Sequence, residues 1–128
     1  MKENNKIKVK VLLDSNFILA IFNYKWNVFS MLLDFFFRKV EFYIIPDTLS
    51  EVCQVIEKSK ILPVLEKFKI NLLHIEFPRK MKVDDKLLKV AEEQGMYLAT
   101  LDRKLRHRAK ELGIKTITLT KGGKILVI

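Results

Sequence analysis

Four carboxylates, Asp14, Glu51, Asp84 and Asp102, are scattered through 128 residues, yet each falls where a strand-like run gives way to a helix-like one. Four such groups in one crevice would repel one another unless a cation neutralised them. A donor set made only of oxygen suits hard Mg²⁺ or Mn²⁺ rather than Zn²⁺. Taken singly, each acid has another explanation. Asp14, Asp47, Asp84 and Asp102 are all of a type that caps helices, and an acid in a first turn, the position expected for Glu51, favours the helix dipole. Shared placement, not any one residue, points to a metal.

The elements around them can be read from apolar spacing. Lys8 to Leu13 is a Val- and Leu-rich strand pattern that stops at Asp14-Ser15-Asn16. Glu41 to Ile45 is a second, closed by Pro46, after which Asp47 is expected to cap a helix carrying the stripe Leu49, Val52, Cys53 and Ile56. Glu51 lies off that stripe, and its Cα–Cβ bond leans toward the helix start. Ile61 to Phe68, with Pro63 in its first turn, predicts a short helix, and Asn71 to Ile75 a third strand, ended by Pro78. Val83, Leu87, Leu88 and Ala91 predict a helix closed by Gly95, followed by a strand over Tyr97 to Ala99. Leu105, Ala109 and Leu112 line another helix, closed by Gly113. Thr116 to Leu119 and a short Lys124 to Val127 strand follow, the second after a Gly122-Gly123 turn. Such alternation predicts an α/β fold with a mainly parallel sheet of four to five strands, covered on both faces. In that fold sites gather outside the carboxyl ends of the strands, near a topological switch point. Asp14, directly after the first strand, and Asp102, three residues past Ala99, should share that edge, with Glu51 and Asp84 approaching it from helices.

The whole chain, 1–128, reads as one domain, without repeats or linkers. Its formal charge of +9, from 24 Lys and Arg against 15 Asp and Glu, favours a polyanionic partner. On the helix after Asp102, Arg103, Arg106 and Lys110 share one face, with Lys104 and Arg108 beside them, a surface suited to a phosphate backbone or to solvent alone. His107 belongs to that face, and His74, inside a strand pattern, is expected to be structural. Cys53 is the only cysteine, expected in the core, so no intramolecular disulfide or multi-cysteine metal site can form. With no signal-like apolar segment at the N-terminus, a cytoplasmic location is expected. Phe17 to Phe37 is apolar but interrupted by Asn23, Lys25, Asn27, Ser30 and Asp34, which excludes a membrane span. Within it Phe29, Leu32, Leu33 and Phe36 form one apolar row and Val28, Met31 and Phe35 a second. The second row suits either a helix sandwiched inside the domain or a homodimer or protein-partner interface, and the interface is the preferred reading.

Four segments together resemble the PIN-domain ribonuclease family. Val11-Leu12-Leu13-Asp14-Ser15-Asn16 is similar to its opening motif, Pro46 to Glu51 to its second, Val83-Asp84-Asp85 through Ala91 and Gly95 to its third, and Ala99-Thr100-Leu101-Asp102 with Arg103 and Leu105 to its fourth. The resemblance spans nearly the whole chain. It implies a three-layer α/β/α sandwich and a Mg²⁺ or Mn²⁺ centre held by Asp14, Glu51, Asp84 and Asp102. It also implies endonucleolytic RNA cleavage that leaves 5′-phosphate and 3′-hydroxyl ends. Asp85 is an alternative to Asp84, although the spacing to Ala91 and Gly95 favours Asp84. Asn16 and Thr100, polar and at the same strand ends, are expected to orient an acid or a bound water. Two roles are compatible with the family: rRNA processing alongside a ribosome-assembly factor, or a toxin neutralised by an antitoxin. The run Thr100 to Leu105 is more like the processing branch. The competing readings are a non-catalytic RNA-binding or ribosome-assembly module, against which the intact acids argue, and a response-receiver-like phosphoacceptor, whose paired acids and late lysine are not seen.

Overall fold

The structure, a computed structural model, describes residues 8–23 and 27–128. Short runs of aliphatic and β-branched residues form the strands β1 (Val9–Leu13), β2 (Val40–Ile44), β3 (Asn71–Leu72), β4 (Tyr97–Ala99), β5 (Thr116–Leu119) and β6 (Ile125–Val127). They make one six-stranded sheet in the order β3-β2-β1-β4-β5-β6. Every pair is parallel except β5 with β6, which the Gly122-Gly123 turn folds back as an antiparallel hairpin. The sheet is therefore one strand larger than the four to five expected.

Helices α1 (Ser15–Asn23), α2 (Val28–Phe35), α3 (Pro46–Cys53), α4 (Lys58–Lys67) and α5 (Val83–Gln94) precede β4, α5 leading directly into it, and α6 (Arg103–Glu111) follows. Alternation along β1 divides the interior. Val11 and Leu13 join Phe17, Phe29, Leu32, Val52 and Ile61 in one core beneath α1 to α4, whereas Leu12 joins Leu87, Ala91, Leu105 and Ala109 in a second beneath α5 and α6. A sheet with a helical layer on each face results, the three-layer sandwich. At the centre of the first core Phe29 stacks 4.7 Å from Phe68 and meets Phe42 edge-on at 5.1 Å.

Several expectations change. β3 stops at Leu72, because β2 ends at Ile44 and the chain turns away into α3; the Leu73 N–H takes the Ile44 carbonyl at 2.8 Å, and beyond it no strand partner remains. His74 is accordingly exposed and not part of a strand. Helix α4 begins at Lys58, three residues before Ile61, so Pro63 lies inside it. The N–H that Pro63 lacks would have met the carbonyl of Ser59, an exposed residue whose oxygen water can serve. The proposed interface row divides: Val28 is fully buried, Met31 half-buried and Phe35 48% exposed. Val28 lies one turn before Leu32 and therefore shares its core-facing side. Cys53 is half-buried and packs against the first core, as expected. Among the described residues no helix is long and apolar enough to cross a membrane.

The helix ends differ between layers. Gly95 (φ 67°) and Gly113 (φ 76°) supply the left-handed residues after α5 and α6. After α2 and α4 the same turn passes through Phe37 (φ 53°), Arg38 (φ 64°) and Lys69 (φ 51°), where a side chain costs on the order of 1 kcal/mol.

Truncating the central ring, Phe29→Ala, is expected to lower the urea-unfolding free energy by about 3–5 kcal/mol. Phe37→Ala, at a side chain 84% exposed, should change it by about 0.5 kcal/mol or less.

Candidate active site

The strand order places the reversal of the chain between β1 and β4. From β1 the sheet grows outward through β2 and β3, and β4 then adds on the other side. Loops leaving β1 and β4 therefore diverge, opening a crevice at their carboxyl ends. Register sets what faces it. Leu13 pairs with Ala99, so Asp14 and Thr100 are the first residues beyond the paired ends of neighbouring strands. Both remain held by backbone bonds, Asp14 N–H to the Ala99 carbonyl at 2.9 Å and Thr100 N–H to that of Ile117 at 3.0 Å.

Asp14 is buried, 6% exposed. Its Oδ1 accepts the Ser15 N–H at 2.8 Å and its Oδ2 the Thr100 hydroxyl at 2.7 Å. That hydroxyl also lies 3.3 Å from Asn16 Oδ1 and accepts the Asp102 N–H at 3.1 Å. Asn16 Oδ1 in turn accepts the Leu101 N–H at 3.0 Å. The two polar residues picked out beside the acids thus bridge the β1 and β4 ends. Asp102 caps α6, its Oδ1 accepting the Leu105 N–H at 3.2 Å.

The remaining acids arrive on helices. Ile45, not Asp47, is the N-cap of α3, with Pro46 in its first turn, where a missing N–H costs nothing. That early start puts Glu51 in the second turn, one later than expected. Asp47 does not cap; it binds Lys86 of α5 at 2.8 Å. Sequence reasoning missed this contact because nothing local signals a pair 39 residues apart. Asp84 is in the first turn of α5, where Lys82 is the N-cap, so it too is not a cap. Its neighbour Asp85 is taken by Arg108 of α6 at 2.6 Å.

Electrostatics shows which acids share a neighbourhood. Burial pushes the Asp14 carboxyl above the ordinary carboxylate range; the Thr100 and Ser15 hydrogen bonds oppose the rise, and the charges of Asp84 and Asp102 add to it. Glu51 is raised too, first by burial, with the Ser15 side chain opposing and Asp14, Asp47 and Asp84 adding. Its Oε1 is buried without a hydrogen-bond partner, as is Thr48 Oγ1. Among the described residues no three acids, histidines or cysteines stand close enough together to hold a metal ion as they are. Asp14, Glu51, Asp84 and Asp102 are neighbours within one field and not a closed coordination shell. A partnerless buried carboxylate oxygen and an all-oxygen donor set nonetheless fit a hard divalent cation.

The basic helix divides. Arg103, Lys104 and Lys110 are exposed, whereas the Arg106 guanidinium donates to Thr118 Oγ1 at 3.3 Å and Arg108 is engaged by Asp85. His107 is exposed on the same helix, 3.8 Å from Glu111.

A family model described as PIN domain matches residues 11–122. Among solved structures 19 chains match. One is described as the PIN domain endonuclease Utp24, 22% identical, with a TM-score of 0.75, covering 92% of this chain and 90% of that one. Another is a PilT N-terminus domain protein, SSO1118, from the archaeon Sulfolobus solfataricus P2, 19% identical, TM-score 0.57, covering 86% and 87%. No curated protein matches.

The raised Asp14 carboxyl has a consequence for stability. A group raised on folding contributes stability below its unfolded value, about 3.9, and loses it as pH rises through the folded value. Relative to the native chain, metal-free Asp14→Asn should therefore become steadily more stable as pH rises from about 4. Mn²⁺ should raise the melting temperature of the native chain more than that of the variant. Thermal melts in chelator and in Mn²⁺ check both, and an equal Mn²⁺ shift in the two proteins would count against a cation at Asp14.

Proposed function

The chain belongs to the PIN-domain family, and from that premise we propose that it is a Mg²⁺- or Mn²⁺-dependent endoribonuclease whose metal ligands are Asp14, Glu51, Asp84 and Asp102. The observation that carries the reading is the buried Asp14 carboxylate at the β1/β4 switch point, lying in the fields of Asp84 and Asp102 and adding to that of Glu51. Asp84 is preferred to Asp85 because its charge is felt by both Asp14 and Glu51, while Asp85 is occupied by Arg108.

When bound, the divalent ion supplies an activated water and neutralises charge on the phosphate. The protein's own part is positional. The Thr100 hydroxyl fixes the Asp14 carboxylate from the neighbouring strand, and Asn16 tethers the backbone between Thr100 and Asp102. Asp102 is held by its own role as helix cap, and Glu51 offers an oxygen with no competing partner. No side-chain nucleophile is needed, and the products would carry 5′-phosphate and 3′-hydroxyl ends. Arg103, Lys104 and Lys110, exposed on the helix that Asp102 begins, are suited to the RNA backbone, with Arg106 and Arg108 beside them. The single domain acts, in this reading, in rRNA processing rather than as an antitoxin-controlled toxin. The run Thr100 to Leu105, which resembles the processing branch, supports that choice.

Asp14→Asn and Asp102→Asn are each expected to lower Mn²⁺-dependent cleavage of single-stranded RNA by at least about 100-fold, roughly 2.7 kcal/mol of barrier, in proteins that still melt cooperatively. Thr100→Val should cost about 10- to 100-fold by loosening Asp14. Undiminished cleavage by both carboxamide variants would overturn the proposal.

A further inference from the structure

At the edge of the sheet opposite the acids lies a cleft of about 400 Å³, formed where β1, β2 and β3 begin. Among the described residues four cationic ones border it, Lys8, Arg38, Lys67 and Lys69, against a single acid, Glu41. Its walls also include Phe68, whose ring centroid lies 5.4 Å from the Lys67 ammonium. Immediately before Arg38 stands Phe37, the most exposed large apolar side chain of the described residues at 84%.

The backbone here is a second, independent observation. At the ends of α5 and α6 the chain puts glycine in the left-handed turn, but at the ends of α2 and α4, which border the cleft, it puts Arg38 and Lys69. Phe37 is left-handed as well. Both turns close with the same bond, the Arg38 N–H to the Leu33 carbonyl at 2.6 Å and the Ile70 N–H to that of Leu65 at 2.8 Å, but the α2 turn passes through two left-handed residues, Phe37 and Arg38, and the α4 turn through Lys69 alone. Glycine would serve both turns without strain, so fold requirements do not account for two cations and an exposed ring there. Strained side chains of this kind gather where a ligand is held.

We propose that this cleft is a second RNA contact, in which Arg38, Lys69, Lys8 and Lys67 receive backbone phosphates while Phe37 stacks on an unpaired base. A basic groove bordered by an exposed aromatic ring is what non-sequence-specific single-strand binding requires. The choice of RNA over other polyanions rests on the nuclease reading above. The five residues of β1 span about 17 Å between the two edges. An RNA touching both the cleft and the acids must therefore be several nucleotides long, and the cleft favours long single-stranded substrates over short or duplex ones.

Fluorescence anisotropy with a labelled single-stranded RNA of about 12 nucleotides, in chelator so that nothing is cleaved, tests this. The Arg38→Asn/Lys69→Asn double variant keeps residues that tolerate the left-handed turn and should melt no lower than the native chain. It is expected to bind at least about tenfold more weakly, with a dependence of log affinity on log salt shallower by about 1.4, two contacts at about 0.7 each. Phe37→Asn should lose at least about fivefold for single-stranded RNA and little for duplex. Glu41→Gln should bind more tightly, a gain that misfolding cannot mimic. Native affinity and salt dependence in the double variant, or no gain in Glu41→Gln, would overturn the proposal. Native-like binding by the cleft variants of a chain that does cleave RNA removes the cleft alone; binding through the cleft by a chain that never cleaves removes the nuclease reading alone.

Discussion

A buried carboxylate at the end of a parallel strand is a liability unless something adjacent satisfies it, and here the Thr100 hydroxyl does so from the next strand. That 2.7 Å bond is possible only because Leu13 pairs with Ala99, leaving Asp14 and Thr100 level with each other. A slip of one residue between β1 and β4 would turn Thr100 to the opposite face and leave Asp14 without its partner. The same hydroxyl accepts the N–H of Asp102, so the residue that satisfies the first acid also fixes the entry of the chain into the helix carrying the last.

The other acids depend on contacts between layers. Lys86 of α5 reaches across to Asp47 on α3, joining the two helices that bear Asp84 and Glu51. Arg108 of α6 holds Asp85 and so ties α6 to the first turn of α5. Surface ion pairs of this kind add little stability in themselves. Their effect here is on position: each neutralises an acid close to a candidate site residue, whereas Asp14, Glu51, Asp84 and Asp102 take part in none of the ion pairs among the described residues.

Much of this was legible in the amino-acid order. Strands announce themselves by Val- and Leu-rich runs, Gly95 and Gly113 by their place after apolar stripes, and Asp14 and Asp102 by standing at or just past the ends of such runs. The acidic edge needed only the rule that parallel sheets keep their chemistry at the carboxyl ends. What escaped was whatever depends on distant partners. β3 is short because β2 turns away, which the sequence around Asn71 does not record. Val28 is buried because its turn of helix aligns with Leu32, although a two-row pattern allows either face. Helices α3 and α4 start earlier than their apolar stripes because Pro46 and Lys58, not the first stripe residues, begin the turns. Asp47 has the residue type and place of a cap, and its pairing with Lys86 leaves no local signature.

The two outermost strands are also the shortest that the sheet could end on: β3 has two residues and β6 three. An exposed strand edge is a template on which another chain can lay its own backbone, and long flat edges invite runaway stacking. Here a chain adding to either side would find only two or three residues of ladder. With its ends trimmed in this way the sheet can keep the fully buried Val11, Leu12 and Leu13 at its centre without becoming a seed for its own aggregation.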